Sequence, residues 1–246
     1  RDYVNYGLID MMGGLKDNAI PRDSTANIII NPADADKLKI GFEELKKKYK
    51  NELISSEPNL EMQMMDLGEG EYSYIHPVSF EKVLFMLINT PNGVQKMSSD
   101  IPGLVESSLN LGIFRIEEDK ASLCFSVRSS VNTYKQFIAN KLKYMTEFLG
   151  GNFYVRGQYP AWEYKKESPL REHLIKIFKQ EYGHEPKLEA IHAGLECSFF
   201  AEKIPGVDIV SLGPDMYDIH TPKERLSLSS AIRVYKFLEK VIEGLK

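Results

Sequence analysis

The sequence has little of what marks several common protein classes. Only two of its 246 residues are cysteine, and no apolar run approaches the roughly 20 residues that a membrane-spanning helix needs. Positive charge is not in excess either, because the formal net charge is −4, whereas a nucleic-acid-binding domain is usually basic. We therefore expect neither a disulfide framework, nor a membrane protein, nor a partner of nucleic acids.

The two cysteines, Cys124 and Cys197, lie inside apolar runs and have no cationic neighbour in the sequence. A cysteine in such surroundings is usually a buried, unreactive thiol, and unpaired thiols are typical of a reducing compartment. The sequence thus predicts two buried, reduced thiols in a cytoplasmic protein.

Strand-like and helix-like patterns alternate through the first 158 residues or so. The predicted strands are Leu8–Met11, Ala26–Ile30, Leu60–Met65, Val105–Ile116, Ala121–Val127 and Phe153–Val155. The predicted helices are Pro32–Lys50, Ser79–Asn89 and Asn132–Leu149. This order predicts an α+β unit in which helices cover an antiparallel sheet.

A different organisation begins near Tyr159. Helical patterns at Leu170–Tyr182 and Ser229–Leu245 enclose two short apolar runs, Leu188–His192 and Val207–Leu212. Short, almost wholly apolar runs are typical of strands buried on both faces. Two strands are too few for a doubly wound core, so we predict part of a larger α/β domain.

Candidate chemistry is concentrated where these apolar runs end. His192 and Glu196 follow one run, and His220 follows the other. The strand ends of an α/β sheet are where side chains converge on a ligand. From the residues alone, His220 is either a loop histidine or a metal ligand, and Arg128 is either an anion-binding group or half of a surface ion pair.

Several short motifs, taken together and in order, resemble the aminoacyl-histidine (Xaa-His) dipeptidases, also called PepD-type or carnosinase-like. They are Leu8–Asp10 with Gly13–Gly14, Asn18–Arg22, Thr90–Val94, Ser108–Gly112, Val127–Ser129, Tyr159–Trp162, Ile191–Cys197, and His220–Pro222 with Glu224. The resemblance extends from one end of the chain to the other.

This resemblance implies a metallopeptidase with two zinc ions, or other divalent metals in their place, that hydrolyses small unblocked dipeptides. Residues 1–158 would be most of a lid domain, without its start, that serves dimerisation and substrate capture. Residues 159–246 would be the C-terminal segment of the catalytic α/β domain. The implied partners are a small dipeptide and a second copy of the chain, in the cytoplasm.

The same resemblance assigns roles to individual residues. His220 would be a zinc ligand, and neutral imidazole is a good zinc donor. Arg128 would bind the substrate carboxylate, for which its guanidinium fork is well shaped. Asn18 would hydrogen-bond the substrate or the oxyanion, although a simple turn residue is the alternative.

Two further residues have open alternatives. Gly194 would allow the backbone to approach the ligand, or would only serve a turn. Glu196 would bind the amino group of the substrate or orient a neighbour. The alternative for Glu196 is a buried carboxylate paired with His192.

Most of the family's metal-binding motifs are absent from the chain. There is no H-x-D segment, and the only Glu–Glu pairs, Glu43–Glu44 and Glu117–Glu118, lie in a helix pattern and a turn pattern. We therefore expect the chain alone to be inactive. The alternatives are a related zinc aminopeptidase or amidohydrolase, a non-catalytic dimerisation and substrate-capture module, and a peptide-binding protein descended from the enzymes.

Overall fold

The computed structural model describes residues 4–117, 120–192 and 194–245. The strands are β1 (Tyr6–Gly13), β2 (Ser24–Ile30), β3 (Gly93–Met97), β4 (Val105–Glu117), β5 (Lys120–Ser129), β6 (Met216–Tyr217) and β7 (Arg225–Leu226). The α-helices are α1 (Ala35–Glu52), α2 (Pro77–Asn89), α3 (Asn132–Phe148), α4 (Pro169–Tyr182), α5 (Cys197–Lys203) and α6 (Leu228–Glu243). Within these described ranges, no helix is both long and apolar enough to cross a bilayer.

Antiparallel pairing builds the main sheet around β4. The strand order is β2-β1-β4-β3, and β5 also pairs with β4. β1 runs antiparallel to β2 from the pair Tyr6 and Ile30 to the pair Gly13 and Ser24, and it is also antiparallel to β4. The predicted fold class, a mixed fold of helices and an antiparallel sheet, is confirmed.

The chain forms two compact units that interleave along the sequence. The first unit comprises Arg1–Asn92, Leu109–Ser126 and Met145–Gly151, and the second comprises Gly93–Ser108, Val127–Tyr144 and Asn152–Lys246. The strands β4 and β5 each contribute residues to both units. The division into a lid (1–158) and a catalytic segment (159–246) stays a prediction.

Each unit has its own apolar core. In the first unit, Leu8 on β1, Phe80 on α2 and Phe114 on β4 are buried, and the ring of Phe80 meets the Tyr6 ring edge to face at 5.7 Å. In the second unit, Leu174 on α4 packs against α6 through a cluster whose other buried members are Phe237 and Val241. These contacts bury one face of each element, which is the main source of stability for such layers.

Four predicted strands are wrong: Leu60–Met65, Phe153–Val155, Leu188–His192 and Val207–Leu212 are all irregular. An apolar run becomes a strand only where another strand offers backbone partners. Among the described residues no strand pairs with these four runs. Leu188 and Ile191 are accordingly 58% exposed instead of buried.

The prediction of two buried thiols is also wrong. Both cysteines are free, but Cys124 is exposed and Cys197 is only partly buried. Successive side chains of a strand point to opposite faces, so apolar neighbours on β5 do not determine on which side Cys124 lies. Three features were not predicted at all: β3, α5, and the small hairpin of β6 and β7.

Candidate functional site

Three polar residues of the second unit meet where β4 begins and β5 ends. The Ser108 hydroxyl lies 2.6 Å from Nε2 of His192. The Arg128 guanidinium donates from Nη1 to the backbone carbonyl of His192 at 3.2 Å. We call this cluster of Ser108, Arg128, His192 and the nearby Gly194 the Arg128–His192 site.

The imidazole of His192 is partly buried and is bonded at Nε2 to the Ser108 hydroxyl. Burial and the positive charge of Arg128 lower the pKa of His192 below its ordinary value, and a hydrogen bond with the backbone of Val105 opposes this only in part. The neutral ring is therefore favoured at pH 7. The Ser108 hydroxyl, which both donates and accepts, can bond Nε2 in either tautomer of the neutral ring.

Gly194 lies against an aromatic ring. A Cβ atom at this position would be 3.2 Å from the Tyr159 ring, closer than most real contacts of a Cβ. Tyr159 in turn meets Phe199 on α5 edge to face, with ring centroids 4.5 Å apart, and its carbonyl accepts a short hydrogen bond from Lys135 on α3. The backbone at Gly194 is therefore close to the Tyr159 ring, while its approach to a ligand stays a prediction.

Glu196 is exposed at the residue preceding α5, and its side chain makes no capping hydrogen bond. The alternative of a buried carboxylate paired with His192 is wrong, because Glu196 is exposed and the Nε2 of His192 is bonded to Ser108 instead. The exposed position leaves the Glu196 carboxylate accessible to a cationic group.

Asn18 belongs to the first unit and lies in an exposed turn between β1 and β2. The side-chain amide of Asn110 on β4 donates to the carbonyls on either side, at 2.8 Å to Ala19 and 3.3 Å to Asp17. A Cβ atom at Gly112 would be only 2.2 Å from the Asp17 carbonyl oxygen. β4 thus fixes the backbone that presents Asn18.

His220 lies in the loop between β6 and β7, exposed and with φ of +66°. A left-handed conformation is uncommon for a residue other than glycine. It is supported here by a hydrogen bond from the His220 amide to Oε2 of Glu224 at 3.0 Å. The carbonyl of Asp218, two residues earlier, accepts from both the hydroxyl and the amide of Thr221. The loop therefore has a defined shape around the imidazole.

The residues at hand do not form a complete metal site. Zinc sites use at least three protein ligands drawn from histidine, cysteine and carboxylates. Among the residues that the structure describes, no group of three or more such side chains could hold a metal ion. His220 is a single candidate ligand, so the chain as described does not fit a dinuclear centre.

Sequence reasoning missed Ser108 and underestimated Tyr159. Ser108 lies in a strand pattern, where a serine carries no signal of its contacts, and its partner His192 is 84 residues away in the chain. Tyr159 was visible only as part of a hinge-like motif. Both contacts depend on the tertiary fold, which local patterns do not specify.

Comparisons with known proteins give a consistent result. The sequence profile of peptidase family M20/M25/M40 matches residues 5–244. The cytosol non-specific dipeptidase of Escherichia coli K12 is 29% identical over 238 residues, which are 97% of this chain and 49% of that protein. The crystal structure of aminoacylhistidine dipeptidase from Vibrio alginolyticus matches with a TM-score of 0.90 and 27% identity, over 99% of this chain and 49% of that one. The chain therefore spans about half the length of these relatives.

Proposed function

Because the chain belongs to peptidase family M20/M25/M40, we propose that it is part of a cytoplasmic zinc dipeptidase that hydrolyses small unblocked dipeptides of the Xaa-His type. In this proposal residues 1–158 are the lid and residues 159–246 are the C-terminal segment of the catalytic domain. The names of the two relatives support the dipeptidase assignment, and that of the structural relative supports the Xaa-His class.

The observation that carries the proposal is that the guanidinium of Arg128 is exposed and has N–H donors left for a ligand. Its guanidinium is exposed, one N–H is bonded to the His192 carbonyl, and among the described residues no carboxylate lies within ion-pair distance of it. A guanidinium has five N–H donors in a planar fork, so donors remain for a ligand. The C-terminal carboxylate of a dipeptide is the natural acceptor, since the two groups form paired, charge-assisted hydrogen bonds.

The other site residues take roles that agree with their exposure. The exposed Glu196 would bind the free amino group of the dipeptide, and Gly194 would leave its backbone accessible. Asn18, presented by a turn that β4 holds, would donate to the oxyanion. His220 would supply one imidazole to a zinc centre whose other ligands lie outside the described residues, so the chain alone is expected to be inactive.

The exposed face of α6 supports the assignment of residues 159–246 to a larger domain. Leu228, Ile232, Tyr235 and Ile242 recur at helical spacing and are each more than half exposed. Phe237 and the rest of the buried face lie on the opposite side of the helix. A helix that is apolar on two faces is typical of a layer between two others, and we propose that the rest of the catalytic domain covers the exposed face.

A second function is favoured by the absence of a metal cluster from the described residues. The chain would then be a non-catalytic module that dimerises and captures peptides, with Arg128 still binding the carboxylate. A related zinc aminopeptidase or amidohydrolase would share the fold and differ in its substrate. In each case we propose a homodimer, as the resemblance to the Xaa-His dipeptidases implies.

The proposal is tested by comparing a dipeptide with its C-terminal amide. β-Ala-His and β-Ala-His-amide are supplied with zinc to the product of the complete reading frame and to its Arg128→Gln variant. We expect the free acid to be hydrolysed preferentially, and Arg128→Gln to lower kcat/KM for the acid about tenfold or more, because a charge-assisted hydrogen bond is lost. Arg156→Gln is the matched control, since Arg156 is an exposed arginine away from these contacts. Equal hydrolysis of acid and amide by the unaltered protein would contradict the role of Arg128.

A further inference from the structure

Without support from neighbouring residues, the Arg128 side chain would have no fixed position in which to bind the substrate carboxylate. An exposed arginine has many side-chain rotamers, and ordering them on binding costs free energy. In this structure the hydrogen bond from Nη1 to the His192 carbonyl restricts the guanidinium before any ligand arrives. A ligand that meets a preorganised group loses less free energy in ordering it.

The His192 carbonyl is itself fixed by what holds the His192 side chain. The imidazole is partly buried, and its Nε2 is bonded to Ser108 near the start of β4. β4 is a central strand of the sheet, paired on both sides, and is therefore a rigid support. A partly buried histidine whose Nε2 is bonded to a side chain of this strand has a restricted ring orientation.

Gly194, close to His192 in the sequence, is restrained from a second direction. Gly194 lies against the Tyr159 ring, and Tyr159 is fixed by Phe199 and by the hydrogen bond from Lys135. Neither Ser108 nor His192 needs to touch a substrate for this arrangement to matter. Both act on Arg128 through the backbone of the His192 segment.

We propose that Ser108 and His192 are positioning residues for Arg128: the Ser108–His192 hydrogen bond fixes the His192 carbonyl, which holds the guanidinium in place for the peptide carboxylate. The inference rests on the proposed function, because it takes Arg128 as the carboxylate anchor. It adds two residues, on β4 and in the segment before α5, that determine how well this anchor works.

The first arm of the test is NMR spectroscopy of this chain with ¹⁵N-labelled histidine. In the unaltered chain we expect the ¹⁵N resonance of His192 Nε2 to show a hydrogen bond with the Ser108 hydroxyl. Ser108→Ala should shift this resonance, because Nε2 loses its partner. Ser108→Thr keeps a hydroxyl and should retain the original shift. Ser122→Ala on β5 is the matched control, since Ser122 is exposed and distant in sequence from both partners.

The second arm measures KM for β-Ala-His and for its amide with the product of the complete reading frame. Ser108→Ala should raise KM for the acid about three- to tenfold, which corresponds to one neutral hydrogen bond, and should leave the amide and kcat nearly unchanged. Ser108→Thr should restore KM for the acid, and circular dichroism checks that each variant folds.

The outcomes separate the two proposals. An unchanged Nε2 resonance, or an unchanged KM for the acid, in Ser108→Ala overturns the positioning role even if Arg128→Gln loses activity on the acid. A parallel rise in KM for acid and amide also overturns it, because that is the result of a merely structural change. If Arg128→Gln keeps its preference for the acid, the anchor itself is wrong, and both the role of Arg128 and the inference built on it fail.

Discussion

Single atoms decide the shape of the Arg128–His192 site. The Ser108 hydroxyl holds the imidazole of His192 through a hydrogen bond. Because Gly194 has no Cβ atom, the Tyr159 ring can lie directly against its backbone. Neither effect is visible in the hydropathy of the sequence. The residue types that chemistry alone singles out, such as Arg128 and His220, were predictable candidates, whereas the residues that hold them in place were not.

Gly194→Ala tests the contact with Tyr159. The new Cβ atom would lie 3.2 Å from the ring, so the ring or the backbone must shift by a few tenths of an ångström. We expect a loss of about 1–2 kcal/mol in the free energy of unfolding, measured by urea denaturation.

The control is the same substitution in a Tyr159→Ala background. With the ring removed, Gly194→Ala should cost much less, since contacting residues give non-additive effects. Equal costs in both backgrounds would mean that Tyr159 is not what Gly194 accommodates.

At the scale of elements, the N-terminus of α4 depends on a carboxylate from a distant loop. Asp208 accepts from the Ser168 hydroxyl at 2.7 Å and from the Leu170 amide at 2.9 Å. Burial opposes ionisation of Asp208, but these hydrogen bonds and the charges of Lys165 and Arg171 outweigh it, so the pKa of Asp208 lies below its usual value. The negative charge also suits the positive end of the helix dipole.

Asp208→Asn removes that charge while keeping the size of the side chain. At pH 7 we expect a loss of about 1–2 kcal/mol in the free energy of unfolding, as for other N-terminal helix contacts. Because the pKa is lowered by folding, the contribution of Asp208 is complete above the unfolded value of about 4 and declines as the pH falls below it. The difference in the free energy of unfolding between the variant and the unaltered chain should therefore become smaller at acidic pH, as measured by urea denaturation.

Asp23→Asn is the control for this experiment, because Asp23 is exposed in the loop before β2. It should change the free energy of unfolding very little at any pH. If Asp208→Asn lowers the free energy of unfolding by the same amount at pH 3 and pH 7, the charge of Asp208 is not what stabilises α4.

The elements that the sequence predicts well are those whose signals are local. The N-cap of α4 is Ser168, whose hydroxyl accepts a hydrogen bond from the Arg171 amide, and its C-cap is Gly183 in the left-handed conformation. Serine and glycine are common at these positions, so the sequence itself predicts both ends of the helix. β1, β2, β4 and β5 likewise match their predicted runs closely. The runs Leu188–His192 and Val207–Leu212 have the composition of strands, but pairing is a long-range property, and within the described part of the chain no strand supplies it.

At the scale of the whole molecule, the exposed apolar face of α6 predicts self-association of this chain. Apolar patches that remain in water favour contact with another surface. We expect light scattering to detect oligomers. Ile232→Lys should reduce them without lowering the free energy of unfolding, since Ile232 is 57% exposed.

Glu243→Lys controls for the added positive charge, because it lies on the same helix and removes no apolar surface. It should leave association unchanged. A clean monomer for the unaltered chain would contradict this account of α6, and with it one support for a larger catalytic domain.

The fold and the family could be predicted from the sequence, because many individually weak motifs occur in one order from Leu8 to Glu224. The proposed metal centre could not be predicted in this way, because the ligands of a metal site converge from distant segments of a chain. Of those ligands this chain offers His220 as a candidate, and no complete set lies within the described residues.

Zinc-dependent hydrolysis of a dipeptide panel that includes β-Ala-His and Gly-Gly tests the central claim most directly. The same panel is given to this chain and to the product of the complete reading frame. The account predicts hydrolysis by the longer product alone, because one candidate ligand cannot fix a zinc centre. Hydrolysis by this chain alone would contradict the split of the site, and no hydrolysis by either protein would contradict the dipeptidase assignment itself.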